Sequence, residues 1–303
     1  MVRFFYIYKK SALIRLLKFF IRLALWLFCS DIHINNQHLL KQKGPLLIIA
    51  NHPNSFLDAI IIGAQYHRRV YFLARGDAFT KAHHRFLLGL LNMIPVYRLR
   101  EGKEFLHLNE FAFNKSIELL NKGEAVLIFI EGTCINSHEL QPFKKGTTRI
   151  LEGAHKIGLY PIIHMVGIGY NQLRGIGKKI NLSIELMPFH KTIESAKDRV
   201  EFNKIAFNLL NQNIHYSNLP TIIKKTPLYY LHLPYYRFIK NRADRKTKGT
   251  VFYDSVLFSL LLFTYPIYLL LIFCFLYIIG LPLPIIFGTL LSVPLLAKTT
   301  IKA

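Results

Sequence analysis

The sequence predicts an α/β protein. A central, mostly parallel sheet flanked by helices is expected over residues 31–235, with an N-terminal interfacial amphipathic helix before it and a C-terminal transmembrane or re-entrant hairpin after it. Three observations lead there. Short apolar runs alternate with helical patterns through the middle of the chain, as βα units require. No charged residue stands between Asp254 and Lys298. The charges that do exist are lopsided, 39 Lys+Arg against 17 Asp+Glu, in a chain of 303 residues that is 52% hydrophobic and 18% charged. Such a chain can collapse, so intrinsic disorder is excluded. Three cysteines, at positions 29, 134 and 274, exclude a disulfide scaffold, and no C-x-x-C is present for zinc. An apolar and strongly basic chain points to an anionic partner at a membrane. Nucleic acid would account for the charge but not for the apolar excess, so no nucleic acid partner is expected.

The expected N-terminal helix covers residues 1–30; over 11–29 its charges are Arg15, Lys18 and Arg22, at spacings of three and four, hence on one helix face. The rest of that stretch is largely Leu, Ile and Phe, with Trp26. A wide apolar face with a narrow basic stripe describes a helix lying in the membrane interface, its cations reaching anionic headgroups. A cleaved signal peptide fits less well, because no A-x-A-like site follows and Asp31 comes at once.

In the middle of the chain, strands are expected over 45–50, 70–74, 94–97, 125–129, 161–167 and 180–187, and helices over 55–67, 104–121, 146–157 and 192–211. Residues 236–254 read as a basic juxtamembrane linker with Arg237, Lys240, Arg242, Arg245, Lys246 and Lys248. Residues 255–297 read as a membrane hairpin: one span over 255–279, a Gly-Pro turn, and a shorter second stretch that either completes the hairpin or lies re-entrant. Positive residues at both ends place those ends, and the α/β domain, on the cytoplasmic face. Removing residues 250–303 is therefore expected to weaken membrane attachment without abolishing it, because Trp26 and its apolar neighbours remain inserted.

Familiar cofactor motifs are missing. Gly167-Ile-Gly169 has Gln172 where a dinucleotide loop needs its third glycine, and there is no phosphate loop and no G-x-S-x-G elbow. The densest polar segment after an apolar strand is Asn51-His52-Pro53-Asn54-Ser55-Phe56-Leu57-Asp58. Pro53 pushes His52 to an extended conformation at the strand end. Ser55 suits the helix N-cap, which puts Asp58 in the first turn. A chain doubling back there can lay Asp58 on the His52 ring, fixing its tautomer and leaving the other nitrogen to take a proton. The same Asp58 would also suit a capping box, and His52 alone could be a satisfied strand-end histidine.

Three further segments bear on binding. Phe129-Ile130-Glu131-Gly132-Thr133 ends another strand in a polar turn, where α/β sheets place ligands. Lys144-Lys145-Gly146 and Arg149 combine side-chain charge with a helix start, a good anion site. Arg98 closes Ile94-Pro95-Val96-Tyr97-Arg98, and its planar fork suits phosphate. Each alone could be a solvated charge on a basic protein.

In their joint order these blocks resemble the glycerolipid acyltransferase family, which includes the glycerol-3-phosphate and 1-acylglycerol-3-phosphate acyltransferases. His52 and Asp58 match its His–Asp block, with five residues between them where four are usual. Phe129 to Thr133 match its F-P-E-G-T block with Ile130 for proline, Arg98 matches the arginine block loosely, and Pro161 to Val166 match the last block with His164 in place of an apolar residue. The likeness covers roughly residues 35–190. It implies transfer of an acyl chain from acyl-CoA or acyl-carrier protein to a glycerolipid hydroxyl at the membrane, with His52 as general base, Asp58 orienting it, and no metal, cofactor or acyl-enzyme. The basic residues would hold the acceptor phosphate, and Glu131 would position glycerol hydroxyls or anchor a lysine or arginine. The acceptor expected first is 1-acylglycerol 3-phosphate; glycerol 3-phosphate and a lyso-aminolipid are alternatives, and a non-catalytic lipid-binding or transfer protein is a second.

Overall fold

The computed structural model describes residues 2–97, 107–216, 221, 223 and 225–301. Its centre is a seven-stranded sheet of order β1-β7-β6-β2-β5-β3-β4. The strands are β1 (Cys29–Ile34), β2 (Leu46–Ala50), β3 (Val70–Arg75), β4 (Met93–Val96), β5 (Ala125–Phe129), β6 (Ile162–Tyr170) and β7 (Lys178–Leu186). Every neighbouring pair is parallel except β6 with β7. The helices are α1 (Val2–Phe28), α2 (Phe56–Gln65), α3 (Ala82–Leu90), α4 (Leu108–Asn121), α5 (Gly146–Lys156), α6 (Ala196–Asn213), α7 (Pro227–Thr247), α8 (Tyr253–Ile278) and α9 (Leu283–Ile301).

β2 shows why the sheet lies in the middle. All five of its residues are buried. Leu46, Ile48 and Ala50 join one core, and Leu47 and Ile49 join the other. An uninterrupted apolar run is what a strand covered on both faces needs. On the first face the core includes Leu25 of α1, Ile61 of α2, Ile239 of α7 and Leu257 of α8. On the second it includes Ala112 of α4, Leu151 of α5 and Phe202 of α6. Gly167-Ile-Gly169 serves this packing. A Cβ at Gly167 would lie 2.7 Å from the Asn213 carbonyl, and one at Gly169 would lie 2.1 Å from that of His215. The two glycines let the chain leaving α6 cross β6 closely, which accounts for them without any dinucleotide loop.

Several elements differ from the sequence-based expectation. The N-terminal helix passes directly into β1, an edge strand of the sheet. The expected basic linker at 236–254 is helical as far as Thr247, because α7 begins at Pro227 with Thr226 as its N-cap. The basic stripe of α1 turns inward. Lys18 Nζ donates to the carbonyls of Tyr66 (2.8 Å) and Arg68 (2.6 Å), and Arg22 Nε donates to that of Ala64 (2.7 Å). These are carbonyls at and just beyond the end of α2, where a helix leaves acceptors unpaired and favours cations. Lys18 and Arg22 therefore donate to the protein, Arg22 doing so while still exposed, as Arg15 is.

Among the described residues, α8 is the one helix long and apolar enough to cross a membrane. Its 26 residues make a rod of about 39 Å, against a hydrocarbon core of ~30 Å. Its first turns are buried in the domain, and beyond them large side chains such as Phe263 and Ile278 stand 73% and 80% exposed. α9 packs against α8, and Lys298 near its end donates to the Ser30 carbonyl of β1 at 3.0 Å. The two helices thus form a hairpin anchored at both ends on the α/β domain, with α9 the shorter apolar arm.

Candidate active site

β2, β3, β4 and β5 run parallel, so their C-terminal ends open on one edge of the sheet, where α/β proteins place ligands. A cleft of about 800 Å³ lies there. His52 follows the end of β2 and lines it. The loop after it folds back sharply, with Ser55 at φ 53° and ψ −141°, a conformation that costs a non-glycine residue ~1–3 kcal/mol and recurs at functional sites.

That turn delivers Asp58 to His52. Asp58 Oδ2 accepts from His52 Nδ1 at 2.9 Å and from the Asn54 backbone N–H at 2.7 Å. Its Oδ1 accepts the Tyr170 hydroxyl at 2.6 Å. The carboxylate is fully buried, so these three donors replace the water it has lost. Because Nδ1 is the atom that donates to Asp58, Nε2 is left as the basic nitrogen. The imidazole also lies flat on Phe129 of β5, with centroids 3.7 Å apart and planes 8° apart. Carboxylate and ring together fix its position and rotation.

Lys144, Lys145, Gly146 and Arg149 line the same cleft, as do Gly132 and Thr133. Gly132 has φ 63°, and a Cβ there would come within 2.8 Å of the Lys144 side chain. Only glycine satisfies both the backbone and the space. Arg98 lies outside the described residues. Glu131 departs from expectation: it is buried, is not among the side chains lining the cleft, and binds no lysine or arginine among the described residues. Its Oε1 accepts the His52 backbone N–H at 3.2 Å, joining the β5 turn to the β2 turn. Burial raises its carboxyl to about 7, with the His52 and Gln141 backbone N–H groups pulling the other way.

Ser55 holds the N-cap position, but its hydroxyl caps nothing. The orphan N–H of Leu57 is accepted instead by Ser255 Oγ at 3.1 Å, from the first turn of α8. Cys134 Sγ accepts the Ser55 N–H at 2.9 Å, and burial pushes this thiol up to about 12. A thiol so reluctant to ionise supports the turn and is no nucleophile.

Sequence reasoning also missed Tyr170, Asn51 and Arg75. Asn51 clamps β6 through both the N–H and the carbonyl of Ile168, at 2.8 and 2.9 Å. Arg75 ends β3 on the cleft, bonded to Asp77 at 2.6 Å and stacked over Phe252. An arginine ending an expected strand beside Gly76 was a usable signal; Tyr170 carried none. Among the described residues, no three His, Cys, Asp or Glu side chains converge as a metal site.

Known proteins carry related sequences. Residues 31–165 match the Acyltransferase family model. The chain is 23% identical over 225 residues to a probable 1-acyl-sn-glycerol-3-phosphate acyltransferase of Mycoplasma genitalium, covering 69% of this chain and 76% of that protein. It is 29% identical over 209 residues to a lyso-ornithine lipid O-acyltransferase of Brucella abortus, covering 64% and 73%. The solved structure of the 1-acyl-sn-glycerophosphate acyltransferase from Thermotoga maritima aligns with 67% of this chain and 80% of its own, at a TM-score of 0.46 and 18% identity.

Proposed function

We propose that this chain, a member of the glycerolipid acyltransferase family, acylates the free hydroxyl of 1-acylglycerol 3-phosphate with His52 as general base. The observation that carries the reading is the His52–Asp58 hydrogen bond at 2.9 Å, on the rim of a cleft whose charged lining residues, among those described, are cationic. His52 Nε2 takes the acceptor hydroxyl proton as the oxygen attacks the thioester carbonyl. The tetrahedral intermediate collapses and expels the thiolate, which takes the proton back from the imidazolium. Asp58 stabilises that cation and keeps the ring in the reactive tautomer. The donor is acyl-CoA or acyl-carrier protein, used as a substrate, and the scheme calls for no resident cofactor.

Lys144, Lys145 and Arg149, with Arg98 as a further candidate, hold the acceptor phosphate. Gly132, Thr133 and Gly146 leave room and backbone groups beside it. A phosphate acceptor suits the cleft better than an aminolipid: no carboxylate is among its described lining residues, and an amine headgroup would need one. The membrane role follows from α8 and the basic residues of α7, which keep the catalytic domain on the cytoplasmic side. There the acyl chains stay in lipid while the headgroup reaches His52. A lipid carrier without chemistry would have no use for a buried carboxylate aimed at a histidine.

The test uses the protein purified in detergent, a panel of lyso-acceptors, both acyl donors, and mass spectrometry of the products. His52→Ala should lose at least ~10²-fold in rate, and Asp58→Asn should lose activity while remaining folded. Full activity in His52→Ala would sink the base assignment. Preference for lyso-ornithine lipid over 1-acylglycerol 3-phosphate would overturn the acceptor.

A further inference from the structure

The carboxylate that orients His52 is itself held from the first turn of α8. Asp254 and Lys178 form an ion pair of 2.7 Å, with side chains 1% and 0% exposed. Asp254 Oδ2 also accepts from Asn54 Nδ2 at 2.9 Å, and its Oδ1 accepts the Gly175 N–H at 2.8 Å. Two routes lead on to Asp58. Asn54, pinned by Asp254 and by the Leu173 carbonyl at 3.1 Å, donates its backbone N–H to Asp58 Oδ2. Tyr170, whose ring lies 5.6 Å from the Lys178 ammonium, donates its hydroxyl to Asp58 Oδ1. Ser255 adds a third tie by capping Leu57, the residue before Asp58.

A buried ion pair is a poor stabiliser, because desolvating two charges offsets most of their attraction. What it supplies is placement: Asp254 holds the Lys178 ammonium and an Asn54 Nδ2 hydrogen at one point, which fixes where Asn54 sits. We propose that Asp254, paired with Lys178, and Ser255 are positioning residues for the general base, so that the helix suited to enter the membrane is also part of the active-site support. This rests on the reading of His52 as base. It makes the seating of α8 and the aim of the imidazole one mechanical unit.

The experiment measures kcat and acceptor KM of the full chain in detergent, with melting curves to establish folding. Asp254→Asn should lower kcat by about 10²-fold, the size of loss that a misplacement of ~1 Å brings, while acceptor KM changes little. Ser255→Ala should lower kcat by a smaller factor. Asn54→Ala combined with Asp254→Asn should lose no more than the worse single variant, since both act through one path. If Asp254→Asn leaves a lone buried lysine and does not fold, Lys178→Met with Asp254→Leu removes both charges, and the same loss of kcat is expected. Wild-type kcat in a folded Asp254 variant, or a loss confined to KM, overturns the positioning role. His52→Ala separates the two ideas. Activity retained there overturns the general base; activity lost there with wild-type kcat in the Asp254 variants overturns only the inference.

Discussion

α1 and α8 are long apolar helices at opposite ends of the chain, and both leave bulky side chains uncovered, such as Phe19 on one and Phe263 on the other. They treat their few polar groups differently. α1 directs Lys18 and Arg22 at carbonyls at and beyond the C-terminal end of α2. α8 keeps its one charged residue in its first turn, where Ser255 caps the N-terminal end of the same helix and Asp254 reaches the Asn54 turn before it. α2 carries Asp58, so the helix that orients the base is gripped at both ends by helices that composition alone assigns to the lipid. Apolar length marks a segment as membrane-directed; its sparse polar residues show what else it does. The two grips are not equal. The α8 grip is buried and touches the His–Asp turn, whereas the α1 grip is partly open to solvent and acts at the far end of α2.

The largest expected effect comes from cutting the chain before Tyr253. This removes the partner of Lys178 and the cap on Leu57, so activity should vanish even in detergent, where loss of membrane attachment has no bearing. Product formation and melting of a 1–252 chain measure it, and a folded, active 1–252 chain would break the comparison. Next comes Lys18→Met with Arg22→Met. Hydrogen bonds from charged groups contribute ~1.5–3 kcal/mol when buried, less when partly exposed, so the double variant should lose about 2 kcal/mol in denaturant unfolding. An unchanged midpoint together with weaker vesicle binding would return the stripe to the headgroups.

Glu131, on neither helix, calibrates both. Its folded carboxyl titrates near 7, above the ordinary carboxylate value, so the folded state holds a proton that the unfolded state releases. That contribution is fully present at low pH and is lost as pH rises from about 4.5 through 7. Glu131→Gln should therefore gain melting temperature relative to the parent at pH 8 compared with pH 5; a constant difference across that range counts against the buried, raised carboxyl. The smallest effect is expected of Arg15→Gln. Arg15 is exposed on α1, and a basic residue near an anionic surface is worth ~1 kcal/mol, so binding to anionic vesicles should weaken about fivefold with melting unchanged.

Features that depend on short-range pattern were legible along the chain. β2 and β5 were legible because a strand buried on both faces must be apolar throughout. His52 at a strand end was legible from Pro53, and Asp58 in the first turn from helix-start chemistry. α8 was legible from the absence of charge. The basic lining of Lys144, Lys145 and Arg149 was legible because it sits at one helix start. Tertiary structure decided what depends on which distant segments become neighbours. β1 was hidden because the helical apolar run continues unbroken into Cys29, and only pairing with β7 makes the next residues a strand. Tyr170, Lys178 and Asp254 lie more than a hundred residues from the turn they support, and no local periodicity links them. A buried charge is tolerated only where its partner arrives, and strand order, not spacing along the chain, brings Lys178 of β7 and Asp254 of α8 to the same point.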